Sequence, residues 1–599
     1  GCPFAFQVPP CHNGGRRGLG RWPSDESPLN QPTPAIVTQR AVRRLPRLAL
    51  LLFCAAYVLP GFIGREPWKN ADVTAFGYMM ELATGRSHWL APQLTGLPAD
   101  TDSLLPYWLG ALAVKLAPAW IAPDFAVRIP FVMLLVVTLI ATWQGVYHLG
   151  RSDGAQPVAF AFGGEANTMD YARAMADGGL LALMGCLGLA QLAHETTPAL
   201  AQLCFTAVLF YAFAAAPSRS LCPALGLAVG LTGLVMSGAP AMATLFGVGG
   251  LAVTALGTRS DDSVARRRNL VWAVAIVGVG ACAALLAWQL QMWRWRITGS
   301  ALAPDQAWLQ IRSMGNLLLW FTWPAWPLAL WTLWRWRRQL SLSDPARHIV
   351  LPLWFALVAV GSAAFTQPSD RTLLLGLPAL ATLAAFALPT FKRSATALID
   401  WFTLLFFTLS GLTIWVIWIS LQTGFPRQPA INVARLAPGF EPSFSTVAFT
   451  VALVATLAWA WLVKWRVGRH RPAIWTSLVL PASGTALCWL LLMTLWLPVL
   501  DYARSYKAQV RLVAAILNDP PCVEIYGMNR GQISAFTFHG ALKLQPASRR
   551  AQCPWLLVDV NARDTLPKSV NLHQWDLLAT IPRPADKNDD ILVYQRVRR

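Results

Sequence analysis

Residues 396–420 read TALIDWFTLLFFTLSGLTIWVIWIS and contain one charged residue, Asp400, close to the first end of the run. A helix of about 20 apolar residues is long enough to span the hydrocarbon core of a bilayer. Similar apolar runs recur along most of the chain. Because lipid offers no hydrogen-bond partner to open backbone groups, such segments fold as helices. The sequence therefore predicts a polytopic α-helical membrane protein.

The composition of the whole chain agrees with this prediction. Of the 599 residues, 55% are hydrophobic and 13% are charged, and the mean hydropathy is +0.44. Soluble domains carry about 25% charged residues, so an ordinary soluble protein, a disordered chain and a coiled coil are excluded. The net charge of +20 could suggest a nucleic-acid partner. The basic residues, however, lie in short clusters between apolar runs, a pattern typical of membrane topology, and we expect no nucleic acid.

The first apolar run, residues 48–63, follows a cluster of arginines. Because basic residues stay on the cytoplasmic side of a span, we expect a cytoplasmic N-terminus. We interpret residues 1–39, which are rich in Gly, Pro, Ser and Arg, as disordered, and residues 64–123 as the first outer loop, with interfacial helices. The arginines before the run are Arg40, Arg43, Arg44 and Arg47.

The membrane part, 40–500, contains further apolar runs. Neighbouring basic clusters are separated by two such runs. The candidate spans are 125–148, 179–193, 221–237, 240–257, 270–292, 316–334, 349–367, 372–390, 396–420, 446–463 and 473–500. An outer C-terminus requires an odd number of crossings, so one more segment must cross, giving about 13 spans. The choice lies between 154–166 and 197–215. Hydropathy favours 197–215 and leaves Asp177 in the cytoplasm.

The tail, 501–599, differs from the membrane part. Its short apolar runs alternate with a helix-like stretch, which predicts a small extracytoplasmic α/β domain. Because the environment outside the membrane is oxidising, a disulfide between Cys522 and Cys553 is expected. The alternative is a pair of buried thiols. The strand-like runs are 522–526, 555–560, 577–581 and 591–594, and the helix-like stretch is 531–538.

The first outer loop is the natural place for an active site. Asp72, next to a predicted helix start, could be a general base for an acceptor hydroxyl, or a helix N-cap. Glu66 has Arg65 and Lys69 as neighbours, which favours an ion pair. Two arginines expected outside, Arg128 and Arg371, could hold a phosphate or reach lipid headgroups.

Residues 64–108 resemble the first periplasmic loop of GT-C glycosyltransferases that use polyprenyl-phosphate sugars. They are most similar to the lipid A aminoarabinose transferases and the protein O-mannosyltransferase relatives (family 39). The motif residues are Asp72, Phe76, Trp89, the segment PQLTGLP at 92–98, and Tyr107 with Trp108. Weaker resemblances are RIP at 128–130, VMSGAP at 235–240 and DRTLLLGLP at 370–378.

The resemblance implies a polytopic GT-C fold and roles for particular residues. Asp72 would deprotonate or align the acceptor hydroxyl, and Arg371 would help to hold the phosphate that leaves. Asp177 corresponds to a second-loop Asp of the family, which requires 154–166 to cross the membrane instead of 197–215. Arg128 and Tyr107 also become candidate substrate-binding residues.

The chain departs from the aminoarabinose transferases in the same loop. Ala99 and Asp102 stand where those enzymes have a Tyr and a Lys, and Thr372 replaces a Tyr. The same sugar is therefore not implied. Asp102 and Glu66 become candidate contacts to a sugar or acceptor, and the alternative for Asp102 is a solvated acidic loop.

The leading interpretation is an inverting glycosyltransferase of a bacterial inner membrane, with its C-terminal domain in the periplasm. Its partners would be a polyprenyl-phosphate sugar, membrane lipid, and a glycolipid or protein acceptor such as lipid A. A transporter of lipid-linked sugars and a non-catalytic lipid-binding relative are the alternatives. Charged residues are scarce at the span centres and concentrated in the outer loop, which favours the enzyme over the transporter. No cofactor is indicated, and metal dependence stays open.

Overall fold

The computed structural model describes residues 33–99, 102–256, 263–293, 304–340, 346–366, 369–467 and 473–597. Most of the membrane part is helical. In chain order its first ten helices are α1 (Arg47–Val58), α2 (Ala71–Ala83), α3 (Leu105–Leu116), α4 (Pro123–Gly150), α5 (Thr168–Gly185), α6 (Leu187–Leu192), α7 (Pro198–Ala215), α8 (Leu221–Met236), α9 (Pro240–Leu256) and α10 (Ser263–Gln289). They are followed by α11 (Pro304–Phe321), α12 (Ala325–Arg335), α13 (Arg347–Phe365), α14 (Ser369–Leu374), α15 (Leu377–Ala387), α16 (Arg393–Thr423), α17 (Arg427–Leu436), α18 (Thr446–Val467), α19 (Val479–Leu492) and α20 (Leu497–Arg504).

Among the described residues, seven helices are long and apolar enough to cross a membrane. Five shorter apolar helices accompany them. The predicted span 396–420 lies inside α16, and 316–334 is interrupted between α11 and α12. The helices α2 and α3 belong to the first loop, with a two-stranded hairpin, β1 (Gln93–Leu94) and β2 (Leu97–Pro98), between them.

The structure decides which of the two open segments forms a helix. Segment 197–215 contains α7, whereas 154–166 is a short 3-10 turn followed by loop. That loop packs against the chain before α1, because the Gln39 amide donates to the Gly164 carbonyl at 3.0 Å. The interpretation from hydropathy is confirmed, and the crossing of 154–166 implied by the resemblance is wrong. Two adjacent glycines and a proline make this segment a poor helix.

Part of the predicted disordered N-terminus is ordered. Ala35 and Val37 are buried, and the Ala35 carbonyl accepts from the Val158 amide at 2.9 Å. Residues 33–39 therefore line the same membrane face as the loop before α5. The rest of the predicted disordered segment, 1–32, lies outside the described residues.

The C-terminal residues form a mixed five-stranded sheet in the order β4-β3-β5-β7-β6. Its strands are β3 (Val523–Tyr526), β4 (Leu544–Pro546), β5 (Trp555–Asp559), β6 (Trp575–Ile581) and β7 (Ile591–Arg596), and its helices are α21 (Lys507–Leu517), α22 (Arg530–His539) and α23 (Leu566–Ser569). Strand β3 is parallel to β4 and β5, and β7 is antiparallel to β5 and β6. A disulfide joins Cys522, before β3, to Cys553, before β5, so this pairing is confirmed.

The sheet domain packs directly on the helix that carries Asp72. Ser534 of α22 donates to the Val73 carbonyl at 2.7 Å, and a side chain at Gly77 would meet Ser534 at 2.4 Å. The rings of Phe76 and Phe538 meet edge to face at 4.6 Å. Helix α2 is therefore positioned by the C-terminal domain as well as by the membrane helices.

Removing the disulfide will destabilise the sheet domain. The bridge closes a loop of 31 residues, and loops of this length correspond to about 3–4 kcal/mol of stabilisation. We expect the double variant Cys522→Ser/Cys553→Ser to unfold at lower temperature and to be cut within 507–597 by protease. The control is Cys222→Ser, which changes an exposed free thiol on α8. Equal stability of wild type with and without reductant would contradict the prediction.

Candidate active site between the first loop and the membrane helices

The carboxylate of Asp72 is buried and accepts four hydrogen bonds. Arg65 Nη2 donates to Oδ2 at 2.8 Å and the Trp68 amide donates to the same oxygen at 3.2 Å. Thr196 donates to Oδ1 twice, from its amide at 2.8 Å and its hydroxyl at 2.7 Å. A carboxylate offers about four lone-pair positions, so its acceptor capacity is filled. Asn70, not Asp72, occupies the N-cap of α2.

Arg65 connects this carboxylate to the loop after α6. Its Nη2 also donates to the His194 carbonyl at 2.8 Å, and its guanidinium lies 4.6 Å from the centre of the Trp68 ring. The side chain is fully buried. Its Nε and Nη1 have no hydrogen-bond partner among the described residues. Buried donors of this kind are nearly always satisfied in proteins, so these two N–H groups are candidates to bind an acceptor that a ligand supplies.

A second buried guanidinium lies in the same region. Arg128, near the start of α4, donates to the Phe62 carbonyl at 3.2 Å, and its Nη2 is 3.8 Å from Asp124. That Nη2 also lacks a hydrogen-bond partner within the part of the chain that the structure describes. Its charge acts on both Arg65 and Asp72. Two buried arginines therefore present unused N–H groups beside one saturated carboxylate.

A second acidic residue adjoins Asp72 from the loop between α6 and α7. Glu195 is buried and accepts from Arg371 at 3.0 Å and from Gln191 at 3.2 Å. Arg371 comes from α14, so the predicted phosphate arginine reaches the site through this ion pair. Glu195 is adjacent in sequence to Thr196, which holds Asp72. Two carboxylates and three arginines thus meet at one place.

The two carboxylates have different proton affinities. Burial raises the pKa of Asp72, but Arg65, the Thr196 donors and Arg128 outweigh it, and the net pKa lies below the ordinary value. Burial also raises the pKa of Glu195, and here the opposing effect of Arg371 is not sufficient, so the net pKa is above the ordinary value. Asp72 is therefore the ionised group, and Glu195 is the one that more readily takes up a proton.

An apolar groove begins next to these groups. The His194 ring contacts Trp489 with their centroids 4.7 Å apart, and its Nδ1 lies 2.5 Å from the Ala190 carbonyl. Both Ala190 and Trp489 line a cavity of about 520 Å³ between α6, α16 and α19. The other lining residues are Leu187, Phe406, Phe407, Leu409, Ser410, Thr413, Ile414, Thr485, Cys488 and Leu492. Apart from a few hydroxyls, this lining is hydrocarbon, aromatic rings and one thiol.

The structure places Asp177 away from Asp72. Asp177, in α5, accepts from Trp143 Nε1 of α4 at 2.9 Å and receives a hydrogen bond from the backbone of Leu45, which precedes α1. It therefore lies towards the opposite membrane face, because 154–166 does not cross. The expectation that Asp177 joins the outer site is wrong.

Three further predicted residues make contacts of their own. Tyr107 is buried in α3 against the Tyr78 ring, with centroids 5.4 Å apart. The backbone of Asp102 lies beside Gly238, and Gly238 is in the turn between α8 and α9. Glu66 pairs with Lys507 at 2.6 Å and lies 3.8 Å from His539. The expected pairing of Glu66 with its sequence neighbours is wrong.

The neighbours of Glu66 have other partners across the domain boundary. Lys69 pairs with Asp586 at 2.5 Å, and Trp68 Nε1 donates to Asp501 at 2.7 Å. Burial raises the pKa of Asp501 to about 6. These contacts attach the start of α2 to residues more than 400 positions later in the chain, so no local pattern could have predicted them.

Sequence reasoning missed Glu195, Thr196 and the role of Arg65. The signal was the polar run His194-Glu-Thr-Thr197 between two apolar stretches. A short polar turn between spans is common, so this run alone did not indicate a functional site. No group of three or more potential His, Cys, Asp or Glu metal ligands occurs among the residues that the structure describes.

Comparison with known proteins identifies the fold. No protein-family model and no curated protein matches the chain. A crystal structure of ArnT from Cupriavidus metallidurans in the apo state aligns with a TM-score of 0.59 and 13% identity, over 92% of this chain and 98% of that chain. A second structure of the same protein, bound to undecaprenyl phosphate, has a TM-score of 0.60 with the same identity and coverage.

This likeness at low identity establishes a shared fold. The predicted fold class, a polytopic helical GT-C fold with a small C-terminal domain, is confirmed. The resemblance inferred from the first-loop motifs is confirmed at the level of fold, since the similar structures are ArnT. The protein is a multi-pass membrane protein.

The Thr196 hydroxyl should contribute measurably to stability. Thr196→Val removes one donor to a buried, ionised carboxylate, and hydrogen bonds to charged groups contribute about 1.5–3 kcal/mol. We expect a loss of that size in the free energy of unfolding. Thr197→Val is the matched control, because the Thr197 hydroxyl is equally buried but has no partner among the described residues. Equal losses in the two variants would contradict the geometry.

Proposed function

We propose that the protein is a membrane glycosyltransferase that moves a monosaccharide from a polyprenyl-phosphate donor to an acceptor outside the cytoplasm. The observation that carries the proposal is the pair of buried arginines, Arg65 and Arg128, with unused N–H groups beside an apolar groove. Arginine guanidinium groups bind phosphate oxygens through paired hydrogen bonds. An apolar groove lining suits the hydrocarbon of a prenyl chain, because burial removes that hydrocarbon from water. The shared fold with ArnT, of which one structure binds undecaprenyl phosphate, supports the same donor class.

A series of connected contacts supports a position for the phosphate head and for the prenyl tail of such a donor. The phosphate would lie at Arg65 and Arg128, with Arg371 nearby through Glu195. The prenyl chain would enter the groove between α16 and α19, where Trp489 forms part of the wall and touches the His194 ring. The His194 carbonyl in turn holds Arg65. Head and tail sites are therefore joined through one buried residue.

The transfer itself balances as a single displacement. The acceptor hydroxyl oxygen bonds to the anomeric carbon while the bond from that carbon to the phosphate oxygen breaks, with inversion. The hydroxyl proton passes to a carboxylate, and polyprenyl phosphate leaves with one more negative charge. The arginines stabilise that developing charge.

The structure favours Glu195 over Asp72 as the proton acceptor in this step. A base works best when its pKa approaches the working pH, and the pKa of Glu195 is raised. Asp72 has no free acceptor position, so its role would be to orient Arg65. Asp72 becomes the base only if the acceptor displaces one of its donors.

We propose a bacterial inner membrane with the sheet domain in the periplasm. The disulfide between Cys522 and Cys553 suits an oxidising compartment, and the arginines before α1 suit a cytoplasmic N-terminus. The acceptor would be lipid A, another glycolipid or polymer, or a protein. Mass spectrometry of envelope glycoconjugates from wild-type and deletion strains would identify both sugar and acceptor.

Variants of the two carboxylates will separate their roles. Glu195→Gln should lower the amount of transferred sugar by about 10²–10⁴-fold, the range for loss of a general base. Asp72→Asn should also abolish transfer, because it releases Arg65. Glu66→Gln is the control and should stay near wild type, since the ion-pair partners of that half-buried carboxylate are Lys507 and His539. The measurement is the added sugar mass at matched expression.

Two results would change the assignment. If the Glu195→Gln variant transfers sugar at the wild-type level with an unaltered pH profile, and the Asp72→Asn variant is inactive, then Asp72 is the general base. An envelope that loses a glycoconjugate on deletion but is normal in both carboxylate variants would favour transport of a lipid-linked sugar over transfer.

Filling the groove will test where the prenyl chain binds. Ser410→Trp places an indole in the cavity, and we expect loss of undecaprenyl phosphate binding but retained binding of a short prenyl phosphate, because only the long chain needs the groove. Leu412→Trp on the same helix is the matched control, since Leu412 is 58% exposed and is not among the groove residues. Binding can be measured by native mass spectrometry. Equal affinities of Ser410→Trp and Leu412→Trp for undecaprenyl phosphate would show that the prenyl chain binds outside this groove.

A further inference from the structure

The end of α20 carries an arginine whose charge has no direct counterion. The guanidinium of Arg504 makes no hydrogen bond and no ion pair with any residue that the structure describes. It lies over the ring of Trp68, 5.0 Å from the ring centre. The side chain is half-buried, and its nitrogens are open to solvent, whereas the unused N–H groups of Arg65 and Arg128 are enclosed. Arg504 is therefore a cation that a ligand can reach directly.

The Trp68 ring holds Arg504 next to the buried site. The Arg65 guanidinium lies over the same ring, 4.6 Å from its centre, and the Trp68 amide donates to Asp72 at 3.2 Å. The charge of Arg504 interacts with those of Arg65 and Glu195. Because two neighbouring guanidinium groups repel each other, an anion bound between Arg504 and Arg65 would be stabilised by both.

Backbone contacts fix the position of Arg504. The Lys69 amide donates to the Arg504 carbonyl at 2.8 Å. Arg583, which follows β6, donates to the Ala503 carbonyl at 2.9 Å. The end of α20 is thus held by the first loop and by the sheet domain. A guanidinium on a fixed backbone loses less conformational freedom when it binds a ligand than one on a mobile loop.

An apolar path leads from the groove to this arginine. Trp489, which lines the groove, packs in one cluster with Trp68. Leu497 and Leu500 of α20 pack against the same cluster. Because Leu500 is four residues before Arg504, the two side chains lie on the same face of α20. Hydrocarbon and aromatic contacts therefore continue from the groove between α16 and α19 up to the guanidinium.

This arrangement suits a lipid with a small anionic head. A hydrocarbon chain in the groove would be removed from water, and a phosphate at the end of the path would meet a guanidinium whose N–H donors are free. A neutral lipid would leave the charge of Arg504 without a counterion, and inorganic phosphate would not use the groove. A prenyl phosphate uses both features.

We propose that Arg504 is a further phosphate-binding residue for the prenyl-phosphate donor, an inference that rests on the proposed function. It would contact the phosphate from the solvent side, while Arg65 contributes its charge from the buried side. Because Arg504 is accessible, it would be the first cation that an arriving phosphate meets. After transfer it would lie beside the leaving phosphate, whose additional negative charge a guanidinium stabilises.

Binding of lipids with and without a phosphate tests this role. The full chain in detergent micelles is titrated with undecaprenyl phosphate and with undecaprenol, and bound lipid is measured by native mass spectrometry. We expect Arg504→Gln to bind undecaprenyl phosphate about tenfold more weakly than wild type, because hydrogen bonds between charged groups are lost, and to bind undecaprenol equally well. Arg435→Gln is the matched control, because Arg435 is exposed in the last turn of α17 and is not among the groove residues.

A conservative variant protects the test against misfolding. Arg504→Lys keeps the charge but not the paired N–H geometry, and we expect it to bind undecaprenyl phosphate about threefold more weakly than wild type. Equal binding of undecaprenyl phosphate by wild type and Arg504→Gln would overturn the proposal, even if sugar transfer is observed. An equal loss of both lipids in Arg504→Gln and Arg504→Lys would also overturn it, because such a loss does not depend on the phosphate.

The same titration separates this proposal from the proposed function. If Arg504→Gln loses affinity only for the phosphorylated lipid, in a protein that transfers no sugar, the phosphate site is retained and the transferase is refuted. Phosphatidylglycerol is the third probe. If Arg504→Gln weakens its binding as strongly as that of undecaprenyl phosphate, Arg504 is a general contact for lipid headgroups and the proposal is overturned.

Discussion

The buried contact between Arg65 and Asp72 joins three parts of the molecule. Arg65 follows α1, Asp72 begins α2, and both bind the loop between α6 and α7 through His194 and Thr196. Breaking one partner of a buried ion pair costs about 3–5 kcal/mol, because the other charge is left without compensation. The contact therefore closes the first loop onto the membrane helices, and the arrangement of the remaining arginines around it depends on that closure.

The same contact explains why the C-terminal domain matters for the site. Asp72 lies in the first turn of α2, and that helix packs against α22 through Ser534 and Phe538. Lys69 and Trp68, just before the helix, are tied to Asp586 and Asp501. The sheet domain thus holds α2 from one side while Arg65 and Thr196 hold it from the other. A disulfide within that domain holds the parallel strands β3 and β5 together.

Several features were predictable because they depend on local composition. The apolar runs identified the membrane helices, and hydropathy correctly favoured 197–215 over 154–166 as a helix. The first-loop motif around Asp72 led to the correct fold class, since spacing along one segment survives at low overall identity. Two cysteines in a polar tail predicted the disulfide. The error at Asp177 arose when a family correspondence was preferred to hydropathy.

By itself, the sequence determined that this is a polytopic helical membrane protein with a small α/β tail and a polar first loop that carries Asp72. These properties follow from hydrophobicity and short-range patterns, which act between residues close in the chain. Only the tertiary structure decided that Glu195 and Arg371 join Asp72, that Glu66 pairs with Lys507, and that Lys69 pairs with Asp586. Such contacts pair single charged residues across hundreds of positions, and their partners are chosen by how the helices and the sheet pack together.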